Sequence, residues 1–261
     1  MKVICAMLLM LGAYDLARAR DVPLPRPRPA PTAAAASAMP NLSENPQPSA
    51  CRLRLTSEVA VAPSLSPITG PGECEAPDVV RLEGVVLLDR SRVAVTPPAI
   101  LSCTMAEAVA GWVREAVAPR ALDLGSSLKA IDNLTSFDCR GRNGISGAKL
   151  SEHGKANALD IHSLRLANGK MMELTDPRVP KDFREGLRNS ACSQFTTVLG
   201  PGSDGFHEDH IHVDLIDRHS GYRICEWAVL EPGEAPPAPT PVDSVPLPRT
   251  RPAIGVRNRP R

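Results

Sequence analysis

Phe206-His-Glu-Asp-His-Ile-His-Val-Asp214 is the stretch on which the fold turns. From His210 onward it alternates polar and apolar side chains. Successive residues of a strand point to opposite faces. The spacing therefore predicts a strand over Ile211–Ile216, with His210, His212 and Asp214 on one face and Ile211, Val213 and Leu215 turned into a core. Two imidazoles at i and i+2 reach a single site, and only one need touch what binds there.

A second stretch, Ser151-Glu-His-Gly-Lys-Ala-Asn-Ala-Leu-Asp-Ile-His162, holds the same residue types, and the two together contain five of the six histidines. His153 and Asp160 are seven apart. On a helix that is about 10.5 Å, too far for two ligands with bonds near ~2 Å. Gly154 also argues against a helix. A loop leading into a strand puts Ala158, Asp160 and His162 on one face, with Leu159 and Ile161 behind it, and lets Asp160 bend toward His153. Two His and one Asp with an open fourth position make a catalytic-type zinc site, able to activate water and polarise a carbonyl.

Outward from these stretches the signals are mixed. Thr104–Ala118 predicts a helix, with Thr104 as cap, Glu107 completing a capping box and Pro119 as the stop. Asp182–Phe195 predicts a second. Leu166–Glu173 predicts a hairpin around Asn168-Gly169, and Thr196–Leu199 and Ala158–His162 predict short strands. Helices and strands are segregated, so the expected class is α+β: a small antiparallel sheet carrying the metal site, flanked by helices, with disulfides and Pro-rich disordered arms.

The chain has 261 residues and 27 prolines, most of them near the ends. Residues 20–50 and 231–261 lack periodicity and read as extended, solvated arms. They share a repeat: Val22–Ala30 matches Val245–Ala253 at eight of nine positions. Residues 51–230 remain for one domain. A formal net charge of +1 argues against a nucleic-acid binder. The tail is nevertheless basic and suits contact with anionic cell wall or lipid headgroups. Met1-Lys2, the apolar run Val3–Tyr14 and Ala17-Arg18-Ala19 read as a signal peptide over residues 1–19, which predicts a periplasmic or secreted protein with no transmembrane anchor once it is removed. Six cysteines then remain, and an even number in an exported chain reads as disulfides. Pairing neighbours gives Cys51–Cys74, Cys103–Cys139 and Cys192–Cys225.

The quoted residues, together with Cys139-Arg140, Asn157–Ile161, Ala191-Cys192 and Val198–Gly202, resemble the bacterial extensin-like C-terminal domain family over about residues 51–230. More broadly they resemble the zinc peptidases of the lysostaphin and D-alanyl-D-alanine metallopeptidase superfamily. The resemblance implies His153, Asp160 and His212 as zinc ligands, with His210 beside the metal. One branch places a carboxylate base at the position of Asp209. Another, like the penicillin-insensitive murein endopeptidases, places a histidine at the position of His207. Asp209 should point away from His210 on a regular strand, which favours His207 or His210. Related carboxypeptidases grip a terminal carboxylate with an upstream arginine, a place filled here by Arg140 or Arg142. The expectation is a zinc peptidase acting on peptidoglycan stems or crosslinks. Alternatives are a cell-wall binding protein that keeps the zinc without turnover, and a protein that needs zinc only to fold.

Overall fold

A computed structural model of the chain describes residues 48–219 and 221–235. The expected signal peptide, residues 20–47 of the first arm and residues 236–261 of the second lie outside the described residues. In chain order the described elements are helix α1 (Ala50–Arg54), strands β1 (Ala60–Val61), β2 (Ser64–Leu65), β3 (Ile68–Thr69), β4 (Glu75–Ala76), β5 (Val79–Val86) and β6 (Arg92–Ser102), helices α2 (Cys103–Trp112) and α3 (Ala118–Asp123), strands β7 (Leu128–Thr135), β8 (Ala158–Leu166) and β9 (Met171–Glu173), helix α4 (Lys181–Gln194), and strands β10 (Thr197–Leu199), β11 (Ile211–Asp214) and β12 (Ile224–Glu226).

The class is α+β, but the sheet is neither small nor purely antiparallel. It has ten strands, ordered β1-β5-β6-β7-β8-β11-β10-β12, with β2 on β5 and β9 on β8. The pairs β6–β7 and β10–β12 are parallel. The strands absent from the sequence expectation are the long central ones, β5, β6 and β7. A strand covered on both faces is apolar in blocks and loses its alternation; in β5, Val79, Val80, Leu82 and Val85 are all fully buried. In β6, Pro97 and Pro98 mimic a strand break. They fall where the ladder to β5 shifts register, between Leu82↔Ala99 and Gly84↔Ala94, so their missing N–H groups break no regular pairing.

Helices α2 and α4 pack on one another and cover one face of the sheet, α2 over β5 and β6, and α4 over β10. Phe183, Leu187 and Ala191 form the buried stripe of α4. Trp112 meets Phe195 edge-on at 5.8 Å, and its indole N–H donates to Ser190 Oγ at 2.9 Å. Burying both apolar rings while satisfying the polar edge makes this a firm joint between the helices. The first long helix departs from expectation at both ends. Ser102, not Thr104, caps it, accepting from the Met105 N–H. Pro119 does not stop it, because the chain relaxes into a π-helical turn over Val113–Val117 and restarts with the proline in the first turn of α3, where no N–H is needed.

The disulfides also correct the neighbour pairing. Cys51 joins Cys103 and Cys74 joins Cys139, while Cys192–Cys225 is as expected. The Cys51–Cys103 bridge ties α1 to the start of α2. Cys74–Cys139 ties the small β3–β4 hairpin to the loop after β7. The partners are set by where α1 and the β3–β4 hairpin pack, against the start of α2 and the loop after β7, which cysteine spacing does not encode. Among the described residues no helix is long and apolar enough to cross a membrane.

Candidate metal centre

Strands β8 and β11 lie side by side and antiparallel, with Asp160 directly opposite His212. On the helix-facing side Leu159, Ile161, Ile211 and Val213 are fully buried. This apolar set locks the register, since a slip of one residue would turn every side chain over. The polar partners of the alternation therefore meet on the other face. Asp160 and Asp214 are buried there, and so is His212.

Two bulges bracket Asp160. Leu134 is an extra residue on β7, between the pairs Asn133↔Ile161 and Thr135↔Asp160. His162 is an extra residue on β8, between Asn133↔Ile161 and Asp132↔Ser163. Bulges commonly re-aim side chains next to functional sites. The second one interrupts the regular alternation of β8 at His162, just beyond Asp160. Leu164, on the far side of the bulge, joins the same core as Ile161.

His153 comes from a tight 3-10 turn, Glu152–Lys155, closed by Ala156 in the left-handed region at φ 53°. Ser151 steadies the turn by accepting from the His153 backbone N–H at 3.4 Å; it does not touch the ring. The ring is held by Ser136, whose carbonyl accepts from Nδ1–H at 2.6 Å. A carbonyl can only accept, so the tautomer is fixed and Nε2 faces inward. Behind the turn, a Cβ on Gly154 would lie 2.7 Å from Leu150 Cδ1 and 3.2 Å from Cys74 Sγ. Leu150 and the Cys74–Cys139 bridge thus leave little room for a side chain here, which favours glycine.

The donors converge. His153 Nε2 is 3.2 Å from His212 Nδ1 and 3.2 Å from Asp160 Oδ2, and His212 Nδ1 is 2.9 Å from Asp160 Oδ1. Donors bonded to one ion at about 2 Å with tetrahedral angles stand roughly 3.3 Å apart, so the set fits a metal. Among the described residues, His153, Asp160 and His212 are the group whose ligand atoms lie within 4.8 Å of one another. The outer nitrogen of each imidazole is engaged as metal-binding histidines require: Nδ1 of His153 by Ser136, and Nε2 of His212 by Asp214 Oδ2 at 3.1 Å. Without an ion the group is strongly polarised. Burial opposes ionisation of Asp160, but hydrogen bonds from His153 and His212 hold it well below the usual carboxylate range. Burial likewise pushes the His212 ring down, yet the Asp160 and Asp214 bonds outweigh it and raise the ring to about 9.

The remaining expected residues surround this cluster. His207 is buried; its Nδ1 meets Asp204 Oδ1 at 2.7 Å, and its ring lies 5.5 Å from that of His212. Burial lowers its pKa against the pull of Asp204, so the neutral ring predominates near neutrality, with Nδ1–H donated and Nε2 free to accept. Asn143 donates to the other oxygen of Asp204 at 3.2 Å. His210 Nε2 is 3.7 Å from Asp160 Oδ1. Asp209 is mostly exposed and is bonded to His210 Nδ1 at 2.7 Å. Arg140 and Arg142 line the cavity beside His153, His207 and His212. Sequence reading did not single out Asp204, Ser136 or Arg218. The signal for Asp204 was its place three residues before His207; Ser136 acts through its backbone, which no residue identity reveals.

A family model described as "Extensin-like protein C-terminus" matches residues 49–226. No curated protein and no solved structure shows a significant match. The match spans both halves of the donor set, Cys51 and Cys225 near its limits, and most of the described residues, and the chain belongs to the extensin-like protein C-terminus family.

Proposed function

We propose that the protein is an exported zinc peptidase, allied to the lysostaphin and D-alanyl-D-alanine metallopeptidases, that hydrolyses amide bonds in peptidoglycan stems or crosslinks. One observation carries this reading: a buried imidazole, His207, is oriented by a carboxylate beside an N,N,O donor set that opens onto a cavity. A site needed only for folding is closed by protein ligands and has no use for such a base.

His153, Asp160 and His212 would hold the ion, and this donor chemistry suits zinc. Zinc bound there supplies Lewis acidity to a substrate carbonyl and to an attacking water. The Nδ1–H of His207 is fixed on Asp204, so Nε2 takes the proton from water and returns it to the leaving amine. His210 is held through Nδ1 by Asp209, which leaves Nε2 facing the donor set, and only its imidazolium form would carry a second proton to donate to a developing oxyanion. In this reading Asp209 orients His210 and is not the base. Arg140 and Arg142 orient the anionic parts of the substrate. Three disulfides support export, since such bonds persist in oxidising compartments. The basic tail as a cell-wall contact rests on sequence.

The test is to incubate purified protein of measured metal content with crosslinked and uncrosslinked muropeptides, with and without chelator. The expected result is about one zinc per chain and chelator-sensitive product. Metal-replete protein that yields no product from any stem peptide overturns the peptidase reading and leaves a zinc-containing wall-binding protein.

A further inference from the structure

Two cavities meet at the donor cluster. The first, about 310 Å³, is lined by His153, His207 and His212 and by Arg140, Arg142 and Arg218. The second, about 260 Å³, is lined by Asp160, His210, Leu134 and Phe206. Arg140, Asn143 and His207 line both, so the candidate ligands stand in the wall between two clefts that join at the proposed base.

The clefts differ in chemistry. The acids of the first are already engaged. Glu152 accepts from Lys155 at 3.0 Å and from Asn157 at 2.7 Å, Asp204 is bonded to His207 and Asn143, and Asp214 faces His212. The arginines are not matched in the same way. Arg218 donates to Thr196 O at 2.9 Å and Thr197 Oγ1 at 2.7 Å, neutral partners that fix the guanidinium without cancelling its charge. Arg142 makes no side-chain hydrogen bond or ion pair among the described residues. Arg140 spends only Nε, on Asp138 at 2.7 Å. The second cleft is apolar at its rim: Leu134, turned out by its bulge, is 51% exposed and Phe206 is 52% exposed. Large apolar groups left half in water beside a polar site mark a surface that awaits an apolar partner.

Size then separates two kinds of substrate. A peptidase that trims one terminal residue needs room for a single residue and one carboxylate beyond the scissile bond. The arginine-lined cleft offers more room than that; about 310 Å³ lies at the lower end of the range of roughly 300–1,000 Å³ that encloses a drug-sized ligand. We infer that the substrate runs through both clefts, with an apolar acyl side over Leu134 and Phe206 and an amine side of more than one residue whose carboxylates are held by Arg142 and Arg218 as well as Arg140. That describes a crosslinked peptide and not the free end of a stem, and Arg218 becomes a specificity-determining residue. The inference rests on the peptidase reading for its scissile bond and on the clefts for its substrate class.

The experiment compares a crosslinked muropeptide dimer with an uncrosslinked stem ending in D-Ala-D-Ala. Zinc-loaded protein should split the dimer and release no terminal alanine from the stem. Arg218→Gln should raise KM for the dimer about tenfold, as expected for loss of one charge-assisted contact, with kcat within about threefold and metal content unchanged. Arg218→Lys, which keeps the charge, should recover part of the loss. In parallel, His212→Ala protein, which leaves the dimer intact, is titrated by calorimetry with the dimer and with a dimer whose carboxylates are amidated. The amidated form should bind at least tenfold more weakly. Release of terminal alanine without dimer cleavage overturns the inference while the peptidase reading stands, and equal binding of the two dimers also overturns it. Binding that favours the acidic dimer with cleavage of neither substrate sinks the peptidase reading and keeps the recognition. Neither binding nor cleavage sinks both.

Discussion

The wall and the rim of the metal centre are built on different principles. Asp160 and His212 sit on adjacent strands, opposite one another, backed by residues with no exposed surface. The rim residues His207, His210, Arg140 and Arg142 lie in loops. Those loops are not loose: Asp204 ties residue 143 to residue 207, and the Cys74–Cys139 bridge pins the segment that supplies the Ser136 carbonyl and Arg140. The sheet fixes where an ion can sit, whereas the loops decide what chemistry surrounds it. His153 belongs to both, being a loop residue that the disulfide and Gly154 press against the strand pair.

If this division is right, damage to the wall and damage to the rim are separable. The largest effect is expected from Asp160→Ala, which removes the ligand the strand register places between the two imidazoles. Metal per chain, measured by mass spectrometry of the purified protein, should fall from about one to near zero, and activity should vanish with it. His207→Ala attacks the rim. Metal content should be unchanged, and chelator should still raise or lower the melting temperature as in wild type. Turnover should drop about 10²–10⁴-fold, the usual contribution of a positioned acid or base. Loss of metal in His207→Ala would break the division.

The same division explains what the sequence reveals. The β11 alternation, the hairpin at Asn168-Gly169, helix α4 and the two ligand stretches are local patterns, and all are legible. Gly169 indeed takes a left-handed φ of 84° at the turn. The size of the sheet was not legible, because β5 is buried in blocks and does not alternate, β6 contains Pro97-Pro98, and the register of β7 is broken by bulges. Two disulfide partners were not legible, since they depend on strand order. At the site, residue type and spacing reveal the three side chains that converge, His153, Asp160 and His212. The groups that orient them are one backbone carbonyl, Ser136, and one aspartate, Asp204, whose role depends on loop closure. The bulge at His162 was not legible, because a bulge leaves little trace in an alternating sequence.

A smaller effect tests how much of the wall lies beyond the ligands. Asp214 fixes the outer nitrogen of His212 and touches no metal position itself. Asp214→Asn keeps the shape and weakens the acceptor. Metal affinity, measured by competition with a chromogenic chelator, should fall about 10–100-fold, as when an outer-shell partner is altered. The metal-free protein gives a pH signature of the same buried network. Asp160 and Asp214 are held below their ordinary range, so their contribution is present above about pH 4 and is lost as pH falls. His212 is raised to about 9, so its contribution is complete below about pH 6.5 and is lost as pH rises through 9. The melting temperature of chelated protein should therefore peak between about pH 4 and 6.5. A flat profile from pH 5 to 9 would show that the network does not stabilise the empty wall.

The mildest prediction falls on the seam between the two regions. Gly154 has an ordinary backbone conformation, so a side chain there costs space and not torsional strain. Gly154→Ala would set its methyl 2.7 Å from Leu150 Cδ1 and 3.2 Å from Cys74 Sγ. The leucine can swing away more easily than the disulfide, so the turn should shift by tenths of an ångström. Overpacking of this kind costs about 1–3 kcal/mol, a fall in melting temperature of roughly 2–4 °C per kcal/mol for a domain of this size. The direction of the shift matters more than its cost. It moves His153 relative to Asp160 and His212, which the strands hold still. Metal affinity should therefore fall along with stability. A variant that loses stability but keeps full metal affinity would show that His153 is placed by its Ser136 bond alone, and that the disulfide supports the loop without setting the site.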